Sequence, residues 1–373
     1  MNIVIFNWQD IRNPLSGGAE VHIHQIFSRI ATMGHRVTLF CSSFQGAKAR
    51  ETIDGIEVIR KGWRSLFNFW VPIAYLTRFR KRYVDIVIDD INKIPFFTPL
   101  YIGTPLVGIG HHLFGKNIFL EVNFLPALYV YLGEWLIQYV YRKTPFIVYS
   151  ESTYHELIEL GFPEKNLAMV YNGVNHDLYH PTGIPKSETP LIGYLGRLKR
   201  YKSVDHLIKA FYLVKHDIPE AKLMILGDGD ARPELERLST ELGVGDSTEF
   251  TGYVSEEDKA KYLQQMHLVV NTSSKEGWGL TVIEANACGT CVIASDVPGL
   301  RDSVVDGKTG LLYEYGNIRQ LAGKMRDLLQ DNDLRERLSQ HAIAWAQRFD
   351  WDTSARKVVD VLKRTIEQHR RAL

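Results

Sequence analysis

The chain has 373 residues, enough for two domains that each bury a core. Hydrophobic residues make up 45% and charged residues 23%, the balance of a folded globular protein, which excludes disorder, collagen and coiled coil. Lys and Arg total 44 against 43 acids, so no global field holds nucleic acid and no such partner is expected.

Three cysteines cannot form a disulfide framework, and the opening MNIVIFNWQD has no basic n-region, so a cytoplasmic location is expected. Strands are predicted at 2–6, 36–41, 56–60, 85–88, 105–109, 146–149 and 168–171, with helices at 19–32 and 151–160. Most of these strands are apolar rather than alternating, as parallel strands covered on both faces are. Two stretches interrupt the pattern. From Arg60 to Arg82 seven basic residues (Arg60, Lys61, Arg64, Arg78, Arg80, Lys81, Arg82) interleave with aromatics and no acid, which suits an anionic membrane surface or, equally, a solvated charge run beside core aromatics. Residues 125–141 form an apolar run with one charge, Glu134. That length falls short of a span and predicts a buried or interfacial helix.

The proline-bearing segment HPTGIPKSET at 180–189 reads as a linker. A second series follows, with strands at 190–195, 222–226, 248–251, 268–271, 291–294 and 310–313 and helices at 204–216 and 256–265. After Gly316 the chain reads as helical to its end, with an amphipathic last stretch at 351–368. The organisation is βαβα carried out twice, an α/β protein. The expected domains are 1–180, 181–350 and a terminal helix in 351–373.

The strongest chemistry lies in E-G-W-G-L-T-V-I-E at 276–284. A strand runs into a glycine-punctuated loop and a helix opens near Gly279, offering free N–H groups and positive dipole potential to a phosphate. Glu276 precedes that helix and Glu284 lies inside it. Five residues at 1.5 Å rise span roughly 7.5 Å, about the reach from a pyrophosphate to a ribose. Two surface acids on a capped core helix are the alternative. Arg197 and Lys202 sit in a loop ahead of a helix starting near Ser203, where cations oppose the dipole unless an anion binds; viewed alone, the loop reads at least as well as a solvated basic one. Gly17 and Gly18 open the first helix and permit close backbone approach.

Several motifs point away from other chemistries. The dinucleotide G-x-G-x-x-G spacing is absent, as is the upstream glycine of a P-loop. Asp228-x-Asp230 is expected to cap a helix rather than hold a metal. Cys288 and Cys291 are expected to be structural, since no helix N-terminus follows to stabilise a thiolate. His22 and His24 point apart on their helix, as do the adjacent His111 and His112, so no metal site is expected. One of the latter pair, ending the strand PLVGIG, should face a binding site.

Taken in order, these residues resemble glycosyltransferase family 4, the retaining GT-B enzymes. The resemblance runs through SGGAE, the histidine, ESTYHELIELGF…VYNGVN, GRLKRYKSVDHLIKAF, LMILGDGD, FTGYVSEED, EGWGLTVIEANACGT and ASDVPGLRDSV…GKTGLLY. It implies two Rossmann-like domains facing a central cleft, with the C-terminal helix crossing back to the N-terminal domain. It implies transfer of a hexosyl unit from a UDP- or GDP-sugar with retention, without metal or cofactor, to a glycan or lipid-linked acceptor in cell-envelope or polysaccharide biosynthesis. By the same resemblance Glu276 contacts the donor sugar and Glu284 the ribose. Arg197 and Lys202 take the diphosphate. Gly17, Gly18, Gly277, Trp278, Gly279, Leu280, Thr281 and Val282 complete the donor site, and His111, preferred to His112, is the catalytic histidine. Base contacts are expected near 251–254. The family commonly has Lys-Gly where this chain has Lys202-Ser203, and Pro where it has Cys291. The rivals are another GT-B enzyme such as a nucleotide-sugar epimerase or a phosphorylase, a sugar-nucleotide binding protein, a transferase with a soluble acceptor, and an NAD-type oxidoreductase. A peripheral position on the inner membrane face through residues 60–82 is the matching expectation for location.

Overall fold

The computed structural model describes residues 1–372 apart from Lys93, His112, Lys116 and Asn117, and leaves out the side chains of Leu120 and Glu121. The expectation for His112 therefore lies outside the described residues. The chain divides into two compact units, Met1–Gly173 with Trp351–Leu373, and Val174–Asp350.

The first unit is built on eight strands: β1 (Asn2–Phe6), β2 (Arg36–Cys41), β3 (Arg50–Ile53), β4 (Ile56–Arg60), β5 (Ile86–Ile91), β6 (Leu106–Gly110), β7 (Phe146–Val148) and β8 (Leu167–Met169). Their order is β3-β4-β2-β1-β5-β6-β7-β8, parallel except for β3 against β4. In the centre Ile3 pairs with Val37 on one side and Ile86 on the other. The β-branched run NIVIF is buried almost throughout, which is why it reads as an unbroken apolar segment, and β5, IVIDDI, is buried throughout although Asp89 and Asp90 interrupt it. Strand β3 was not expected. It pairs through Asp54-Gly55, both left-handed (φ 44° and 83°), the tight-hairpin conformation that an Asp-Gly pair adopts readily.

Around this sheet lie α1 (Gly18–Thr32), α2 (Phe67–Ala74), α3 (Ile118–Glu121), α4 (Phe124–Val140) and α5 (Glu151–Glu159). The stretch 60–82 divides its aromatics. Phe67, Val71, Tyr75 and Phe79 join Phe6, Trp8, Phe40 and Phe96 in one buried cluster, while Phe69, Ile73 and Leu76 stay exposed. Arg60, the first of the seven basic residues counted in that stretch, is not on the surface. It ends β4 inside the unit, and its Nε and Nη2 each donate to Asp10 at 2.7 Å, both side chains essentially inaccessible. Arg60's guanidinium is held above its ordinary pKa, chiefly by the hydrogen bond to Asp10.

The second unit carries β9 (Leu191–Leu195), β10 (Lys222–Leu226), β11 (Thr248–Gly252), β12 (Leu268–Asn271), β13 (Cys291–Ser295) and β14 (Gly310–Tyr313) in the order β11-β10-β9-β12-β13-β14, all parallel. Helices α6 (Val204–Asp217), α7 (Arg232–Glu241), α8 (Glu256–Gln265), α9 (Leu280–Ala287), α10 (Leu300–Ser303), α11 (Ile318–Gln330) and α12 (Asn332–Ala346) complete it. Both units are thus parallel-sheet, Rossmann-like α/β layers. The second has the doubly wound order in which the first strand lies beside the fourth.

The units divide at Gly173, ahead of the proline-bearing segment expected as the linker. That segment is fastened inside the second unit. Thr182 N and Oγ1 donate to Gln264 Oε1 at 2.7 and 2.8 Å, and Lys186 Nζ donates to Met266 O and Thr290 Oγ1. Proline and glycine here mark an extended strap rather than a free tether. Helix α13 (Trp351–Ala372) belongs to the first unit, where Arg29 pairs with Asp352 at 2.7 Å and Ser354 Oγ donates to Tyr171 O at 2.6 Å.

Candidate functional site

In an open parallel sheet the strands point their carboxyl ends at a crevice wherever chain order reverses. In the second unit that reversal falls between β9 and β12. The chain leaves β9 through Gly196-Arg197 and β12 through Ser273–Gly279, so the two segments singled out in the sequence meet here. Thr272 Oγ1 donates to Lys202 O at 2.9 Å and Ser274 N to Tyr201 O at 2.8 Å, fastening one loop to the other. Glycines permit the packing beneath. A Cβ on Gly227 (φ 137°) would lie 2.0 Å from Gly196 O, and one on Gly229 would lie 2.2 Å from Leu198 O.

Lys202 Nζ donates to Glu276 Oε1, and the Ser273 hydroxyl lies 2.8 Å from the same oxygen and from Asn271 Oδ1. Burial opposes the charge on Lys202, but Glu276 beside it prevails and holds the ammonium above its ordinary pKa. Arg197 is exposed and stands outside that pair, yet near enough to repel Lys202. Ser203 takes the left-handed conformation (φ 48°), which glycine adopts without strain, and its hydroxyl meets Tyr315 Oη at 2.8 Å.

Helix α9 begins at Leu280 after Gly279, without a side-chain cap. Its first turn thus offers amides and dipole to an anion. Gly299 (φ 82°) lets the preceding loop close, since a Cβ there would lie 2.2 Å from Glu276 O. The Trp278 side chain packs on Phe349 at 5.2 Å between ring centroids and is 7% exposed. The indole is therefore core, which leaves Trp278 its backbone to offer a donor. Val282 is likewise fully buried, whereas Leu280 and Thr281 are half-buried.

Glu284, one turn and a half into α9, lies 3.2 Å from Lys259 Nζ on α8. The same ammonium is 2.9 Å from Glu256, and Tyr179 Oη donates to Glu256. Burial, with Glu256 adding to it, raises the pKa of Glu284 against the pull of Lys259. Lys259 and Glu256 were missed by sequence reasoning, because SEEDKAKY reads as a solvated first helical turn. Asp228-x-Asp230 does not cap α7, whose N-cap is Ala231. Instead Asp230 pairs with Lys199 at 2.9 Å. Cys288 and Cys291 are buried, and burial pushes both thiols up, Cys288 to about 12.

In the first unit the reversal falls between β1 and β5, and the site there is polar and buried. Asn92 Nδ2 donates to Asn7 Oδ1 at 3.0 Å and lies 3.2 Å from Glu20 Oε1. Gly17 N donates to Glu20 Oε2 at 2.7 Å, so this amide is occupied, while Gly18 is exposed as the first residue of α1. His111 follows β6 directly and is 8% exposed. Its Nε2–H donates to Asp90 Oδ1 at 2.7 Å, and Thr153 Oγ1 donates to its carbonyl. The His22 ring lies 5.6 Å away, bonded to Asn172, and burial holds its pKa well below the ordinary value. His24 instead pairs with Asp54 at 2.8 Å. The missed signal for Asp90 is a pair of acids inside an apolar strand, IVIDDI.

Residues 178–345 match the family Glycosyl transferases group 1, and residues 16–178 match Glycosyltransferase Family 4. A D-inositol 3-phosphate glycosyltransferase of Thermobispora bispora is 30% identical over 73% of this chain and 68% of its own length. The chain belongs to the group 1 glycosyltransferases. The enzyme of the same name from Streptomyces avermitilis is 32% identical over 72% of this chain, and the match spans 62% of that relative. Among solved structures, sucrose-phosphate synthase from Thermosynechococcus elongatus superposes with a TM-score of 0.84 at 21% identity, covering 98% of this chain and 99% of that one. Anabaena HepE in complex with UDP-glucose gives 0.75 at 19%, covering 97% and 99%. WaaG, a glycosyltransferase involved in lipopolysaccharide biosynthesis, gives 0.77 at 19%, covering 96% and 99%. These likenesses establish the GT-B fold.

Proposed function

We propose that this chain is a retaining, metal-independent hexosyltransferase. It takes a UDP- or GDP-sugar and passes the hexosyl unit to a glycan or lipid-linked acceptor at the cytoplasmic face of a membrane, in cell-envelope or polysaccharide biosynthesis. The observation that carries this reading is the Lys202–Glu276 pair in the β9/β12 crevice, which joins the loop after β9 to the loop that leads to the uncapped start of α9. Breaking a glycosyl–phosphate bond leaves negative charge on a diphosphate, and preorganised cations and amides stabilise that charge. Lys202, Arg197 and the amides from Gly279 to Val282 supply them. When a diphosphate enters, Lys202 turns from Glu276 to phosphate oxygen, and the released carboxylate accepts hydrogen bonds from the donor sugar. Glu284 accepts from the ribose diol. His111, its ring fixed by Asp90, keeps the catalytic role that the resemblance assigns.

The bound UDP-glucose of HepE supports a nucleotide sugar as donor, and the lipopolysaccharide role of WaaG supports a lipid-linked acceptor. The names of the two bacterial relatives favour a second reading, in which the acceptor is a small soluble phosphate ester. Calorimetry with UDP and GDP tests the donor half. One of them should bind the wild type, Glu284→Ala should weaken it more than tenfold, and EDTA should leave it unchanged. NMR of the product then reads the anomeric configuration. Failure of both nucleotides to bind overturns the reading.

A further inference from the structure

Helix α4 covers roughly 25 Å at 1.5 Å per residue. Its buried side is narrow, carried by Ala127, Glu134 and Ile137. Leu125, Tyr129, Leu132, Leu136 and Tyr139 fall at steps of four and three residues, so they form one stripe, and all five are exposed. Trp135 flanks the stripe, 4.9 Å from Tyr139 between ring centroids. A second stripe runs beside it on α2 and the turn that follows, Phe69, Ile73 and Leu76. The two helices are joined, since Asn68 Nδ2 donates to Tyr129 Oη and Val130 packs against the cluster that holds Phe67 and Val71. Eight large apolar side chains on two adjacent helices exceed the scattered exposure of an ordinary surface.

The charge at one end of each stripe has one sign. The stripe on α2 ends at the exposed Arg80, Lys81 and Arg82, and the stripe on α4 ends at the exposed Arg142 and Lys143. No acid occurs from Arg60 to Val84 or from Trp135 to Ser150. The single acid of α4, Glu134, is turned inward, where its carboxylate accepts from Phe114 N at 2.7 Å and Gly115 N at 2.8 Å. A two-fold dimer would bring this patch against itself and set the cationic ends among like charges. An anionic bilayer answers both features, with headgroups for the cations and the acyl boundary for the aromatic and aliphatic stripes.

We propose that the paired faces of α2 and α4 dock on an anionic lipid surface, with Arg80–Arg82 and Arg142–Lys143 at the headgroups. This rests on the reading above, in which the acceptor is lipid-linked, and gives that acceptor a route. Through Glu134 the docking helix holds the backbone of Phe114 and Gly115, three and four residues beyond His111, so a helix seated on the bilayer sets the height of the histidine loop above the lipid.

Flotation with phosphatidylcholine vesicles, with and without phosphatidylglycerol, tests this on the full chain. The wild type should float only with the anionic vesicles. Replacing Arg80, Lys81 and Arg82 by Ser should cut partition on the order of a hundredfold at low salt, near fivefold for each cation. Leu125→Ser with Trp135→Ser should cut it at every salt concentration. A wild type that stays unbound overturns the proposal, as do variants that float like the wild type. A dimer in sedimentation velocity that Leu125→Ser with Trp135→Ser turns into monomer, with no vesicle binding by either, also overturns it and assigns the face to a second copy. Titration of the same samples with UDP and GDP separates the two readings. Nucleotide binding without vesicle binding defeats only the docking surface, and vesicle binding without nucleotide defeats only the donor site.

Discussion

Replacing Lys259 by Met removes the cation that Glu284 and Glu256 share. At an effective dielectric of about 20, a charge 3.2 Å from the Glu284 carboxylate contributes about 5 kcal/mol of attraction. Measured losses on breaking such a buried pair run about 3–5 kcal/mol. Glu256 is more than half exposed and rehydrates, but Glu284 is 14% exposed and does not. Its carboxyl, already raised by burial, should rise further in the variant. A carboxyl whose folded-state pKa lies above its unfolded value contributes stability that is complete below the unfolded pKa. That stability is lost as pH rises through the folded one. Lys259→Met should therefore cost about 1 kcal/mol near pH 5 and about 3–5 kcal/mol near pH 8. At 2–4 °C per kcal/mol for a domain of this size, thermal melts should separate from the wild type by about 10 °C at the alkaline end. Nucleotide binding should move the opposite way. On the donor-site reading proposed above, a neutral Glu284 would make a ribose hydrogen bond about half as strong as the charged form, so affinity should fall by about tenfold at the acid end and recover as pH rises. Glu284→Gln added to Lys259→Met should restore most of the stability and none of the affinity. Equal losses at pH 5 and pH 8 would falsify the electrostatic account of the pair.

Arg60→Met should cost about 3–5 kcal/mol in urea unfolding by stranding Asp10, with Asp10→Asn added to it recovering about half. A single variant no less stable than the wild type would show that Asp10 does not depend on Arg60. Asp89 is buried and pushed up from 3.8 to about 6, so the stability it contributes, about 3 kcal/mol, is present below pH 4 and lost as pH rises through 6. Asp89→Asn should flatten the melting temperature between pH 4 and pH 7, and an unchanged slope would point to other groups. Gly299→Ala places a methyl 2.2 Å from Glu276 O at φ 82°. It should weaken nucleotide diphosphate binding while circular dichroism stays native, and wild-type affinity would mean that the loop closes by another route.

Much of the fold was legible because burial and backbone leave local marks. Parallel strands covered on both faces are mostly apolar, so among the described residues all but one of the fourteen strands stand out as short, mainly apolar runs. The exception, β3, is half-exposed on the sheet edge and reads R-E-T-I. Only its Asp-Gly turn gives it away. The stretch 60–82 offered two readings because an amphipathic helix with a π-turn writes core and surface aromatics into the same segment. Nothing in the order of those residues says that Phe67 and Phe79 go in while Phe69 and Ile73 stay out until the phase of the helix is known.

The candidate donor site divides along the same line. Lys202, Glu276 and the start of α9 were legible because glycines, a strand end and a helix start fall together within a few residues of each. Lys259 was not, because what makes it special is not local. It sits in a first turn with three acids, where a lysine is ordinary, and it becomes a buried partner only because α8 packs against α9 so that its ammonium reaches Glu284, 25 positions away. Asp90 and Arg60 follow the same logic at longer range, paired over 21 and 50 positions to His111 and Asp10. A charged residue that the fold buries needs a partner to stay charged, and topology supplies that partner from another element. The sequence therefore shows which charged residues break an apolar run, as Asp90 and Arg60 do, before it shows whom they answer to. A carboxylate inside a strand is a legible debt whose creditor only the three-dimensional arrangement names.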